Sequence, residues 1–209
     1  MYSALSYIVA LALVIFVPKL VVAKIKATKK LTSEKAEDKV DERTMLGLRD
    51  LPTWTDIGLA PVGFVVYLLL AAGLVGLFSM FPWFDTNEAQ DLGFSVYVMG
   101  FDRIVAFVTL VILAPIAEEL IFRGWLYGRL RKWFSEKISN TCSMILSIFL
   151  VSLLFGIVHL QWNVGVNVFA MSVVLCTLRE ITGTIYSGIL LHMLKNGLAF
   201  YLLFVVGLV

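Results

Sequence analysis

Six apolar stretches, most of them about as long as a membrane-crossing helix, run through this chain of 209 residues. A helical span needs ~20 mostly apolar residues. Inside hydrocarbon, only helices and closed barrels satisfy every backbone N–H and C=O. Long apolar runs without strict alternation select the helix. The stretches are Tyr2–Val22, Trp54–Met80, Ile104–Leu126, Cys142–Leu160, Val164–Leu178 and Thr184–Leu208. The expected fold is all-α, a polytopic integral membrane bundle of about six helices. A composition 60% hydrophobic, with mean hydropathy +0.91, excludes a soluble domain with an ordinary core. A net charge of +2 is too small to suggest a nucleic-acid partner.

Loop charge orients the bundle. Residues 24–50 carry Lys24, Lys26, Lys29, Lys30, Lys35, Lys39, Arg43 and Arg49. The turn after the third stretch carries Arg129, Arg131, Lys132 and Lys137, whereas the 81–100 loop has Asp85, Glu88 and Asp91 and no basic residue. Basic loops stay in the cytoplasm, so the acidic loop and both termini are expected outside. The first stretch lacks a basic n-region and an A-x-A site, so it reads as a retained helix rather than a cleaved signal. Residues 1–100 are expected to form N-terminal membrane helices with a charged cytoplasmic linker over 24–53, and residues 101–209 the working core, in one integrated domain. The linker is expected to be amphipathic or flexible. Cys142 and Cys176 have no neighbour at metal spacing and read as small apolar residues.

Ionisable groups at membrane depth are costly and mark function. Both histidines of the chain, and the adjacent acids Glu118 and Glu119, fall inside apolar stretches. Three patterns share one spacing: Glu118-Glu119-x-x-x-Arg123, Phe155-x-x-x-His159 and His192-x-x-x-Asn196. Positions four apart share a helix face. Glu119 can therefore reach Arg123, and His192 and Asn196 can enter one cavity. Glu118 projects about 100° around the helix from Glu119, which leaves it free to face water. A carboxylate in an apolar surround is a better general base. Glu118 can then take a proton from water with His159 orienting it, and His192 and Asn196 can donate to a developing oxyanion. A zinc version, with Glu118, His159 and His192 as ligands and water as the fourth, stands open beside it.

The ordered set resembles the CPBP family, also called Abi or type II CAAX prenyl endopeptidases, over about residues 101–209. The resemblance implies an intramembrane endopeptidase in which Glu118 activates water, His159 is its partner, and His192 and Asn196 form the oxyanion hole. It implies supporting roles for Glu119, Arg123 and Phe155. It favours a mechanism without a metal cofactor over the older metalloprotease label. It also implies a substrate that is a membrane-associated peptide or protein, with prenylated and bacteriocin-like peptides among the options. The expected location is the plasma membrane in a bacterium, and the endoplasmic reticulum or a plastid membrane in a eukaryote.

Plainer readings stand beside these. Glu119–Arg123 is also what a structural lock looks like, and His192-x-x-x-Asn196 also fits an interhelical clamp. Phe155 reads as packing for His159. Asn163 reads as a loop residue and Asn167 as a helix-packing residue. Arg179 and Glu180 are expected in the turn between the last two spans, and Lys195 is expected to snorkel or to line the cavity entrance. Trp54, Trp83, Trp125, Trp133 and Trp162 are placed near span ends, as an aromatic belt requires. A non-catalytic scaffold or bacteriocin self-immunity protein, and a proton-coupled transporter, are the alternative functions. Helix depth raises one difficulty. At ~1.5 Å per residue, His159 lies roughly 28 Å from Asn140, against roughly 16 Å from Glu118 to Arg129. A kink at Pro115, a tilted fourth helix, a start of that helix below the surface, or a shifted span boundary is expected to reconcile them.

Overall fold

The computed structural model describes residues 42–48, 51–86 and 99–207. The Tyr2–Val22 stretch, residues 24–41 and 49–50 of the linker, and Glu88 and Asp91 of the acidic loop lie outside the described residues. Among the described residues there is no strand, and five helices are long and apolar enough to cross a membrane. The chain is an integral, multi-pass membrane protein. A short helix α1 (Glu42–Leu46) precedes α2 (Trp54–Phe78), α3 (Phe101–Ser135), α4 (Asn140–Ile157), α5 (Trp162–Thr182) and α6 (Tyr186–Val206).

Local signals set these boundaries more than hydropathy does. Thr53 caps α2: its hydroxyl accepts from the Asp56 N–H while the Asp56 carboxylate accepts from the Thr53 N–H, a reciprocal capping box. Ser139 caps α4, and Gly183, at φ +70°, ends α5 in the left-handed conformation. Two expected boundaries are corrected. The third span continues nine residues past Leu126, because the polar Tyr127–Ser135 segment keeps its helical bonds after the apolar run stops. The fifth begins at Trp162 and ends at Thr182, so Asn163 lies in its first turn and Arg179 and Glu180 in its last, rather than in loops. Trp125 is likewise well inside α3 rather than near its end.

Helix α5 is central, packed between α2 and α4, and α6 closes against α2, α5 and α3. The core contains Tyr67, Ala71, Phe155, Met171, Leu175 and Leu191. The Tyr67 hydroxyl donates to Asn167 Oδ1 at 2.6 Å, giving Asn167 the packing role expected of it. Polar bonds gather at the basic end of the bundle. Glu180 accepts from Arg131 at 2.8 Å and from the Tyr127 hydroxyl. Buried Asp56 accepts from the Thr184 hydroxyl, joining α2 to the α5–α6 turn. Residues 44–47 lie across α3: Arg179 donates to the Thr44 and Met45 carbonyls, and a Cβ on Gly128 would sit 2.6 Å from the Met45 carbonyl oxygen.

Helix α3 is not uniform. Two π-helical stretches, Val108–Leu113 and Leu120–Leu126, enclose the α-helical Ala114–Glu119. The expected kink at Pro115 is thus a wide turn just before it. A proline has no N–H to offer the preceding turn, and inserting a residue into that turn absorbs the loss. Such wide turns recur at functional sites. Each also rotates the rest of the helix by up to about 100°, the angle of one helical residue.

Candidate active site

Glu118 and Glu119 leave the short α-helical stretch of α3 in different directions. Glu119 is fully buried, and its Oε1 meets Arg123 Nη1 at 2.9 Å and His192 Nδ1 at 3.0 Å. Glu118 keeps 34% of its side chain exposed and turns one oxygen toward His192 Nε2 at 3.8 Å. One imidazole therefore stands between the two carboxylates. The Cα of Gly188, one turn before His192, lets Glu119 approach. A Cβ there would lie 3.0 Å from Glu119 Oε2.

Arg123 is fully buried. Its guanidinium lies over the Phe155 ring at 4.3 Å and beside Phe122 at 6.0 Å, so aromatic faces take part of the place of water around the cation. Phe155 also meets the rings of His159 at 5.0 Å and His192 at 6.1 Å, edge to face. It is the apolar hub against which the charged groups are arranged.

His159 lies just past the end of α4, in a turn where Leu160 takes φ +59°. Its Nδ1 is 2.7 Å from the Phe155 carbonyl oxygen. That folds the ring back along α4. The depth difficulty shrinks because α3 runs on to Ser135, which puts Glu118 roughly 25 Å from the α3–α4 turn. A carbonyl only accepts, so Nδ1 carries the proton and Nε2 keeps its lone pair. The same logic at His192 puts the proton on Nδ1, facing Glu119. Burial holds the His159 imidazole below its ordinary pKa; the Phe155 carbonyl and the Glu118 charge pull upward, and the charges of Lys195 and His192 pull downward. Lys195 is half-buried and within electrostatic reach of both Glu118 and His159.

Asn196 donates from Nδ2 to the Leu110 carbonyl at 2.9 Å, with its second N–H uncommitted by that bond. The structure thus brings Glu118, Glu119, Arg123, Phe155, His159 and His192 to one locus, with Asn196 one turn further along α6. Among the described residues no three His, Cys, Asp or Glu side chains converge as a metal ligand set. Glu118, His159 and His192 as placed do not fit a zinc centre. A groove of about 490 Å³ between α2, α4 and α5, lined by Phe78, Phe149, Leu153, Trp162 and Phe169, has none of these site residues in its wall.

The sequence reading missed Gly188, the Leu110 carbonyl and Asp56. Each has a signal in retrospect. Gly188 is a small residue one turn from a membrane histidine, Leu110 lies five residues before Pro115, and Thr53-x-x-Asp56 is a capping box ahead of an apolar run.

Residues 100–198, just under half of the chain, match the family model described as type II CAAX prenyl endopeptidase Rce1-like. The match covers the three motifs and bears out the resemblance they carry. It points to a protease of the CAAX type in a membrane. No curated protein and no solved structure matches the chain.

Proposed function

We propose that this chain, Rce1-like over residues 100–198, is an intramembrane endopeptidase that uses Glu118 to activate water. The observation that carries the reading is the inequality of the two acids: Glu119 is sealed between Arg123 and His192, while Glu118, one residue away, is open. A sealed, paired carboxylate holds a scaffold. An open one, in a surround this apolar, is free to take a proton.

The steps balance without a further reagent. A water held between Glu118 and His159 Nε2 gives a proton to Glu118 as its oxygen bonds the scissile carbonyl carbon. The carbonyl oxygen becomes the oxyanion, facing the free N–H of Asn196 and His192 Nε2. The latter donates only when the ring carries a second proton, because its first is held by Glu119. As the C–N bond breaks, the proton on Glu118 passes to the leaving amine. Glu119, Arg123 and Phe155 hold His192 and His159 in place and touch no reacting atom. The substrate is a membrane-associated peptide or protein, and the mechanism calls on no metal.

The test compares peptide termini in membranes carrying the wild-type chain or Glu118→Gln at matched abundance. Loss of a positioned general base lowers cleavage about 10²- to 10⁴-fold, so termini made by the wild type should vanish in the variant while folding is kept. Identical termini in both would refute the protease reading and favour a scaffold.

A further inference from the structure

We infer that Pro115 and Asn196 form a positioning pair: Asn196 supplies the hydrogen bond that Pro115 cannot, and so fixes the wide turn that aims Glu118 and Glu119. In the π-helical stretch of α3 the Ala114 N–H reaches back five residues to the Thr109 carbonyl. By the same step, the donor for the Leu110 carbonyl is the N–H of residue 115, and residue 115 is proline. The helix itself leaves the Leu110 carbonyl unpaired at membrane depth, where no water replaces the lost donor. Asn196 Nδ2, projecting from α6, meets that oxygen at 2.9 Å. Beside it α6 runs against α3: a Cβ at Gly197 would make ordinary contact with the Val111 side chain at 3.5 Å.

The consequence reaches the acids through the backbone. If the turn over Val108–Leu113 relaxed to an ordinary α-helical turn, the segment carrying Glu118 and Glu119 would rotate by up to about 100° relative to the start of α3. Glu119, with Arg123 turning alongside it, would leave His192 or drag α6 with it. Asn196 acts here from Leu110, a full helical segment away from the acids. This duty uses one of its two N–H groups and is separate from donation to an oxyanion.

The inference rests on the protease reading only for its activity arm. Asn196→Ala, Pro115→Ala and the double variant are compared with wild type by cleavage and by amide hydrogen exchange of the chain in lipid nanodiscs. Asn196→Ala strands a buried carbonyl, a loss worth about tenfold in local opening. Exchange should therefore rise about tenfold across residues 110–119 and stay unchanged in α5. Pro115→Ala restores an N–H to the position that faces Leu110. In that background Asn196→Ala should therefore cost several-fold less, in exchange and in cleavage alike. An asparagine that serves only the oxyanion would lose the same activity in either background and leave exchange at 110–119 untouched. That result overturns the inference. The exchange arm stands without any cleavage assay, so a chain that cuts nothing still decides it, and should Pro115→Ala fail to fold, the Asn196→Ala exchange pattern decides alone.

Discussion

Helices α4 and α5 meet by having almost nothing between them; α3 and α6 meet by binding one another. In the first pair the backbones touch where Gly156 faces Gly165, and Phe149 and Phe169 pack edge to face beside them. In the second pair the polar contacts are Glu119 with His192 and Asn196 with the Leu110 carbonyl, beside an apolar cluster of Ala106, Val111, Phe200 and Phe204. Apolar side chains give a helix no preference for a neighbour over lipid, so association in a membrane needs close packing or polar bonds. This chain uses one device for each pair. The close-packed pair is regular along its length, while the bonded pair carries the wide turns of α3 and the end of α6. The two should therefore fail in opposite ways: α4–α5 by gaining atoms, α3–α6 by losing them.

The largest effect is expected where a bonded group is removed. Arg123→Met leaves Glu119 buried with one partner fewer, at a cost of roughly 3–5 kcal/mol in stability. Thermal unfolding in detergent measures it, and cleavage should fall with it because His192 is held by the same carboxylate. Adding Glu119→Gln to Arg123→Met takes away the stranded charge, so stability should recover in part while cleavage does not. A single variant as stable as wild type would show that Arg123, four residues along the same helix, does not hold the carboxylate that binds His192.

The α4–α5 pair makes the reverse prediction. A Cβ at Gly156 would stand 2.8 Å from the Gly165 carbonyl oxygen, and backbone cannot step aside as a side chain does. Gly156→Ala should cost roughly 1–3 kcal/mol by overpacking. Gly73, with nothing within 4 Å of its Cβ position, is the control. There alanine should be neutral or add about 0.5–1 kcal/mol through helix propensity. Equal unfolding temperatures for the two variants would break the contrast between the pairs.

The same contrast explains what the sequence disclosed. The all-helical bundle was legible because ~20-residue apolar runs leave one solution in hydrocarbon. The constellation Glu118, Glu119, Arg123, His159, His192 and Asn196 was legible because polar residues are rare at that depth and four-residue spacing marks a shared face. What each polar group would touch was not legible. Glu119 reaches His192 only because two wide turns set the phase of α3, and hydropathy carries no record of a turn with an extra residue. His159 meets Phe155 because its helix stops two residues earlier. The depth mismatch came from the other helix: α3 runs on to Ser135, so Glu118 lies roughly 25 Å from its end rather than roughly 16 Å. The ends of α3 and α5 were missed for a related reason. Arg131, Glu180 and Arg179 read as loop by polarity, yet their side chains pair across the basic end and keep those turns helical.

His159 offers the smallest and most selective probe of the bonded side. Burial lowers its pKa in the folded chain, while in the unfolded chain it titrates near 6.5. Below that value the unfolded chain takes up the proton first, so folding weakens as pH falls from about 6.5 through the lowered folded value. Above about 6.5 both states are neutral at this ring and the term vanishes. His159→Gln removes the titration yet keeps a donor for the Phe155 carbonyl. Unfolding midpoints followed from about pH 8 down to about pH 5 should therefore coincide for the two chains at the upper end and separate below about 6.5, with the wild type falling faster. Wild-type cleavage should drop over the same interval, because a doubly protonated ring has no lone pair left on Nε2 to hold the water. Parallel midpoint curves would mean that His159 is open to solvent and that its turn is not folded back onto the acids. A wild type that gains stability on acidification would reverse the sign, and would place a protonated His159 in an ion pair with Glu118 instead.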